Sequence, residues 1–206
     1  MTRMPRAVAI ATAALVAALS LVGCTNGVTT DTTSDPDTAK IGLLLPDSVT
    51  ARYESGDRPY FEQRIAELCP GCQVLYANAD GDAAKQQQQA ESMLTQGVSV
   101  LVLDPFDGVS AASIVGLAAA RGVPVIAYDR LIQSPDIAYY ISFDNELVGR
   151  LQAQALVDRL RELGVDPDDG GILMVNGSPT DNNASQFKRG AHEVIDASGF
   201  SVLAEF

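Results

Sequence analysis

From Lys40 onward, short apolar runs alternate with segments whose apolar residues recur three or four positions apart. The runs are Ile41 to Leu45, Val74 to Ala77, Val100 to Leu103, Val123 to Ala127, Tyr139 to Ile141, Ile172 to Val175 and Val202 to Leu203. Between them lie helical patterns such as Phe61-Ile65-Leu68, Ala90-Met93-Leu94, Ile114-Leu117-Ala118 and Leu147-Leu151-Ala155. A strand that is apolar on both faces must be covered on both sides, and parallel strands need crossover connections that run across those faces. The pattern therefore predicts an α/β fold, a doubly wound parallel sheet of βαβ units. Gln96-Gly97-Val98 and Arg121-Gly122-Val123 sharpen it, each placing Gly where a helix ends in the left-handed region just before a strand. The stretch Gln86 to Gln89 falls within a helical window and is expected to be a solvated helix face.

The expected domain order is a signal peptide over 1–23, a flexible tether over 24–39, an N-terminal α/β lobe over 40–143 and a partial second lobe over 144–206. The first lobe is expected to have five strands joined by four helical segments. The second supplies only helix, strand, helix, strand, too little for an independent core, so either the chain is truncated or a fragment, or this segment packs in a way the pattern does not reveal.

Ahead of the sheet, Arg3 and Arg6 precede the apolar run Ala7 to Val22, followed by Leu21-Val22-Gly23-Cys24. A basic start, a short apolar segment and small residues before a cysteine form a lipoprotein signal. The run is short and Ala-rich for a span of about 30 Å of hydrocarbon. Cys24 is then the lipidated N-terminus and the only link to the membrane. The Thr- and Asp-rich stretch from Thr25 to Thr38 has too few apolar residues to pack. Removing the signal leaves 12 basic against 26 acidic residues, a net charge of −14. That sign opposes nucleic acid and anionic lipid as partners.

Cys69 and Cys72 flank Pro70-Gly71. Outside the cell such a pair forms a small disulfide more often than a redox centre; a reduced pair stays open as the alternative, and two thiols are too few for a structural zinc site. No G-x-S-x-G, H-E-x-x-H, phosphate loop or strand-borne GxGxxG is present, so no catalytic residue, metal or cofactor is assigned and the chain is not expected to be an enzyme.

Ligands of open parallel sheets sit beyond the carboxyl ends of the strands. There the chain is polar: Asp47 to Tyr53 after the first run, Asp104 to Asp107 after the third, Tyr128-Asp129-Arg130 after the fourth and Asn176 to Asn183 after the sixth. Adjacent Asp129 and Arg130 offer an acceptor and a rigid fork of donors, which suits a ring with several vicinal hydroxyls. Tyr53 could cover the apolar face of that ring. The alternative is an exposed loop in which Asp129 caps a turn and Arg130 pairs with it.

Lys40 to Pro46, Gln96-Gly97-Val98, Val125 to Arg130, Tyr140 to Asn145 and Gly177-Ser178-Pro179-Thr180-Asp181-Asn182-Asn183-Ala184 stand in an order and spacing that resemble the type I periplasmic monosaccharide-binding proteins of ABC importers. The likeness is strongest to the xylose-binding and multiple-sugar-binding members, and it covers Lys40 to Phe206. It implies a monomeric solute-binding component that captures a pentose or hexose and delivers it to ABC permease subunits. A non-functional fragment, or a sugar-sensing receptor for a signalling partner, are the alternatives. It implies ligand contacts from Arg52, Tyr53, Asp129, Arg130 and Asn183, with Tyr53 standing where the family usually has a stacking Trp. Phe143 to Asn145 corresponds to the first crossing between lobes. Family members continue for well over a hundred further residues, and on that ground the 206-residue chain is expected to carry about half of the ligand shell.

Overall fold

A computed structural model describes residues 36–206. The signal segment, Cys24 and the tether up to residue 35 lie outside the described residues. Among the described residues, no helix is long and apolar enough to cross a membrane.

Five parallel strands form the first sheet: β1 (Lys40–Leu45), β2 (Gln73–Asn78), β3 (Val100–Leu103), β4 (Val125–Tyr128) and β5 (Tyr139–Ile141), in the order β2-β1-β3-β4-β5. Helices α1 (Arg58–Leu68), α2 (Ala83–Thr95) and α3 (Ala112–Ala119) join the first four strands. Because side chains alternate across a strand, each of the central strands feeds two cores. Leu44, Leu101, Leu103, Val125 and Ala127 pack with Ala90, Met93, Leu94, Ile114 and Val115 of α2 and α3. On the other face Leu43, Leu45 and Val102 pack with Tyr53 and Phe61. Gly97 and Gly122 do adopt left-handed φ of +76° and +69°, ending their helices where the next strand begins.

Three expectations change. The β4–β5 connection contains no helix; the loop from Asp129 to Ala138 carries it, so three helices join the five strands and not four. The short strand β5 is consequently an exposed edge. The last residues assigned to the tether also take part in the fold: Pro36–Thr38 forms a 3₁₀ turn, and the Gln73 amide donates to the Ala39 carbonyl at 2.9 Å. Finally, Gln86 is not solvated. It is 1% exposed, its Nε2 donates to the Asp104 carbonyl at 2.8 Å and its Oε1 accepts from the Phe106 amide at 2.9 Å. A helix-borne amide thus satisfies the backbone of the loop after β3, a demand that helical periodicity does not reveal.

Beyond β5, α4 (Asn145–Glu162) and α5 (Asn182–Ser198) cover one face of a parallel pair, β6 (Gly171–Met174) and β7 (Ser201–Glu205). Asp144 and Asp181 cap the two helices by accepting from the amides of Leu147 and Asn183. The helices touch through glycines: a Cβ on Gly190 would lie 1.9 Å from the Glu146 carbonyl oxygen, and one on Gly149 would lie 2.2 Å from that of Phe187. Their N-termini lie together, and so do their C-termini, where Arg161 donates to the Ser198 carbonyl.

Cys69 and Cys72 are joined by a disulfide with a Cα–Cα distance of 5.3 Å. It lies in the α1–β2 turn, at the amino end of the strands. A Cβ on Gly71 would stand 2.3 Å from the Asp37 carbonyl oxygen, so this turn fits closely against the residues that lead into β1.

Candidate functional site

The carboxyl ends of β1, β3 and β4 open on one side, and the β6–α5 loop meets them there. After β1 the chain makes a π-helical turn, Tyr53–Asp57, that runs into α1. This widened turn, of a kind often found at functional sites, puts both Arg52 and the Tyr53 hydroxyl beside the end of β4. Asp129 follows β4 directly with φ of +59°, a left-handed conformation that costs a non-glycine residue energy. Its amide is held by the Ile141 carbonyl at 2.8 Å, so pairing with β5 supports the strained residue.

All five residues singled out in the sequence meet here. One Asp129 carboxylate oxygen, Oδ2, takes an ion pair from Arg52 Nη2 and lies 3.4 Å from the Tyr53 hydroxyl. The other, Oδ1, accepts from Asn183 Nδ2 at 3.1 Å, and the same nitrogen donates to the Asp129 backbone oxygen at 3.2 Å. Arg52 Nε also pairs with Asp57 at 3.0 Å. Burial pulls the Arg52 guanidinium down, but the bond to Asp129 together with the charges of Asp129 and Asp57 more than offsets it and leaves the group above its ordinary value.

Arg130 turns away from Asp129. Its Nε lies 3.3 Å from Asp181 and 3.9 Å from Asp104, and its Nη2 lies 3.8 Å from Asp47. The side chain is 17% exposed, which removes the exposed-loop alternative in which the two neighbours pair with each other.

Tyr53 departs from its expected stacking role. The residue is 2% exposed and its ring packs with Leu43, Leu45 and Val102 beneath the crevice. Burial raises its phenol far above the usual range, followed in weight by the charge of Asp104. The neutral hydroxyl therefore faces Asp129 as a donor, while the ring gives a ligand no free face. The Arg52 guanidinium carbon lies 5.1 Å from the centre of that ring.

Asp104, Asp47 and Asp181 were not singled out for the site, although all three stand just after strands. Position relative to a strand end was the available signal. Which of the many post-strand carboxylates turns inward depends on the packing of the loops. Asp104 is the most telling: it is 0% exposed, and neither carboxylate oxygen has a hydrogen-bond partner. Burial raises its pKa well above the ordinary range, the Asp129 charge adds to this, and Arg130 opposes it. An acceptor with open lone pairs in such a place is a demand for a donor.

Two guanidinium groups stand against five carboxylates: Asp47, Asp57, Asp104, Asp129 and Asp181. The balance disfavours phosphate or carboxylate ligands. It suits a neutral molecule whose hydroxyls can both donate and accept.

The periplasmic binding protein domain matches residues 41–206. This chain belongs to the periplasmic binding protein family. Among curated members of that family, it is 38% identical to the D-xylose-binding periplasmic protein of Escherichia coli K12 over 172 residues, which cover 84% of this chain and 49% of the relative. It is 37% identical to the multiple sugar-binding periplasmic receptor of Rhizobium radiobacter over 163 residues, covering 77% of this chain and 44% of that one. The chain therefore spans about half the length of the curated periplasmic binding proteins it matches. Among solved structures, an ABC transporter solute-binding protein from Clostridium phytofermentans with bound β-D-glucose aligns with a TM-score of 0.69 and 30% identity. It covers 79% of this chain and 51% of its own.

Proposed function

We propose that this chain carries the gripping half of an exported solute-binding protein that captures a monosaccharide for an ABC importer. The observation that carries the reading is the Asp129 carboxylate, fixed between Arg52 of the first lobe and Asn183 of the second at the carboxyl edge of the sheet. A sugar hydroxyl entering there meets an oriented acceptor, two guanidinium forks and the Asp104 oxygens, which accept no hydrogen bond from the chain. Such groups are already ordered by one another, so little reorganisation is needed on binding. The relatives are binding proteins, and the site holds no nucleophile and base in working contact. Lipidation at Cys24, a monomeric state and delivery to permease subunits complete the proposal. Xylose, or a hexose such as glucose, is the ligand class that the named relatives suggest.

The test is titration of the chain with xylose, glucose, galactose and arabinose, followed by NMR shifts of the Asp129 and Arg130 amides and by calorimetry. Saturable shifts at those amides are expected, with weak affinity near the millimolar range, about −4 kcal/mol. Asp129→Ala removes a charge-assisted bond of about 1.5–3 kcal/mol and should weaken binding more than tenfold. Undiminished binding by that variant removes Asp129 from the site, and absence of saturable shifts with every sugar overturns the reading.

A further inference from the structure

Asn145 opens α4 and is 2% exposed, yet nothing about a helix start requires an amide to be buried there. Asp144, not Asn145, caps the helix. The Asn145 side chain instead reaches sideways: its Nδ2 donates to Ser142 Oγ at 3.0 Å and to Asn183 Oδ1 at 3.0 Å. Asn183 is itself 5% exposed.

The orientation of both amides follows from the acceptors around them. Asp129 presents a carboxylate oxygen and a backbone carbonyl to Asn183, and neither can donate. The nitrogen of Asn183 must therefore face Asp129, which turns its oxygen towards α4. That oxygen needs a donor, and Asn145 Nδ2 supplies it at 3.0 Å, with the Tyr140 hydroxyl at 3.5 Å. The close approach of α4 and α5 at Gly149 and Gly190 is what brings the two helix starts within reach.

We propose that Asn145 is a positioning residue for the sugar site: its amide holds Asn183 with the nitrogen aimed at Asp129 and at any ligand bound there. The inference rests on the sugar-binding reading for its functional meaning, but its geometry can be tested without a sugar. Asn145 lies at the crossing between the lobes and Asn183 in the second, so the contact also ties the crossing to the crevice.

The experiment compares wild type, Asn145→Ala, Asn145→Asp, Asn183→Ala and the Asn145→Ala/Asn183→Ala double variant. In the sugar-free wild type, the Asn183 side-chain amide should give two dispersed, slowly exchanging NMR resonances. Order should fall from wild type to Asn145→Ala and further in Asn145→Asp, because a carboxylate at this place faces the Asn183 oxygen with no proton to offer. Xylose affinity should follow the same order, falling roughly three- to tenfold in Asn145→Ala, the effect of one oriented hydrogen bond. In the Asn183→Ala background the Asn145→Ala change should have no further effect on affinity.

A residue that only fills space would give the opposite ranking, with the near-isosteric Asn145→Asp closer to wild type than Asn145→Ala. That ranking, or an additive loss in the double variant, overturns the proposal. Should the alanine variant not fold, the comparison of Asn145→Asp with wild type still decides, and an averaged, fast-exchanging Asn183 amide in wild type overturns the idea by itself. Failure of wild type to bind any sugar would sink the functional reading while the amide resonances still decide the positioning claim.

Discussion

Asp104 carries a charge-bearing group into a place without solvent, where neither carboxylate oxygen accepts a hydrogen bond and the nearest cation, Arg130 Nε, lies 3.9 Å away. Burial raises its pKa from the ordinary 3.8, so the folded chain holds this proton at pH values where the unfolded chain has released it. Where the folded state binds more protons, stability falls as pH rises. Asp104 therefore costs stability progressively from its ordinary value upward, until the folded group also ionises. Asp104→Asn keeps the shape and removes the ionisation. Its thermal midpoint should exceed that of wild type at neutral pH, and the difference should shrink towards zero as pH falls to the ordinary aspartate range. Parallel midpoint curves for the two proteins would refute this. The same variant should lose sugar affinity where ligand hydroxyls draw the ionised form of Asp104, since the amide then offers one acceptor oxygen in place of two; a gain in stability alongside a loss in binding marks a residue retained for its ligand. Of the site residues, Asp129 and Arg130 were legible because residue type and strand-end position together suit a polyol, and Arg52 and Asn183 through the resemblance to the family. Asp104 was not, since five-residue patterns around strand ends look alike whether a carboxylate turns inward or out.

Helix and strand identity depends on short-range pattern, and most elements followed it. The exceptions are informative. Four helical segments were expected in the first lobe, but the β4–β5 link, Asp129 to Ala138, is only ten residues, includes Pro135 and carries no helix. Glycines show the same division between local and distant causes. Gly190 and Gly116 both sit inside helices, and sequence alone assigns them the same cost against alanine. In the structure, a Cβ on Gly190 collides with backbone atoms of Glu146 and Arg150, whereas one on Gly116 meets nothing within 4 Å. Gly116→Ala should accordingly stabilise the protein by about 0.5–1 kcal/mol through helix propensity. Gly190→Ala must push α4 and α5 apart and should destabilise it by about 1–3 kcal/mol, with loosening of the Asn145–Asn183 contact. Urea denaturation of the two variants reads both signs. Equal shifts in the two would mean that the helix contact is not close in solution. A second inter-element tie is His192 on α5, which bridges Asp196 and the Glu205 carboxylate of β7 and has its pKa raised first by the Asp196 bond and then by Glu205.

At the scale of the molecule, the two faces of the first sheet are unequal. Helices α2 and α3 seal one, while on the other Leu43, Phe61, Val102, Ile126, Tyr128 and Ile141 line an apolar groove of about 410 Å³ beside α1. Charge and tether act on the same scale. With the signal removed, as proposed, the chain would carry a net −14 and be repelled by an anionic membrane, so the proposed attachment rests on the lipid at Cys24. Wild type expressed in a bacterial host should partition into detergent, and Cys24→Ala should move to the aqueous phase; identical partitioning of both would remove Cys24 from the proposal.

The alternation of strands with helices, the helix-ending glycines and the polar strand ends followed from sequence because each depends on neighbours within a few residues, and the family followed from the order and spacing of short motifs along the chain. Contacts between distant segments did not. Arg52 meets Asp129 across 77 positions, and Asn183 meets it across 54. The burial of Tyr53 and Gln86, and the lack of a hydrogen bond to the Asp104 carboxylate, were decided by how loops from separate strands pack over one sheet edge. Exposure and hydrogen-bond satisfaction are properties of the whole packed surface, and no local window of the chain contains the atoms that set them.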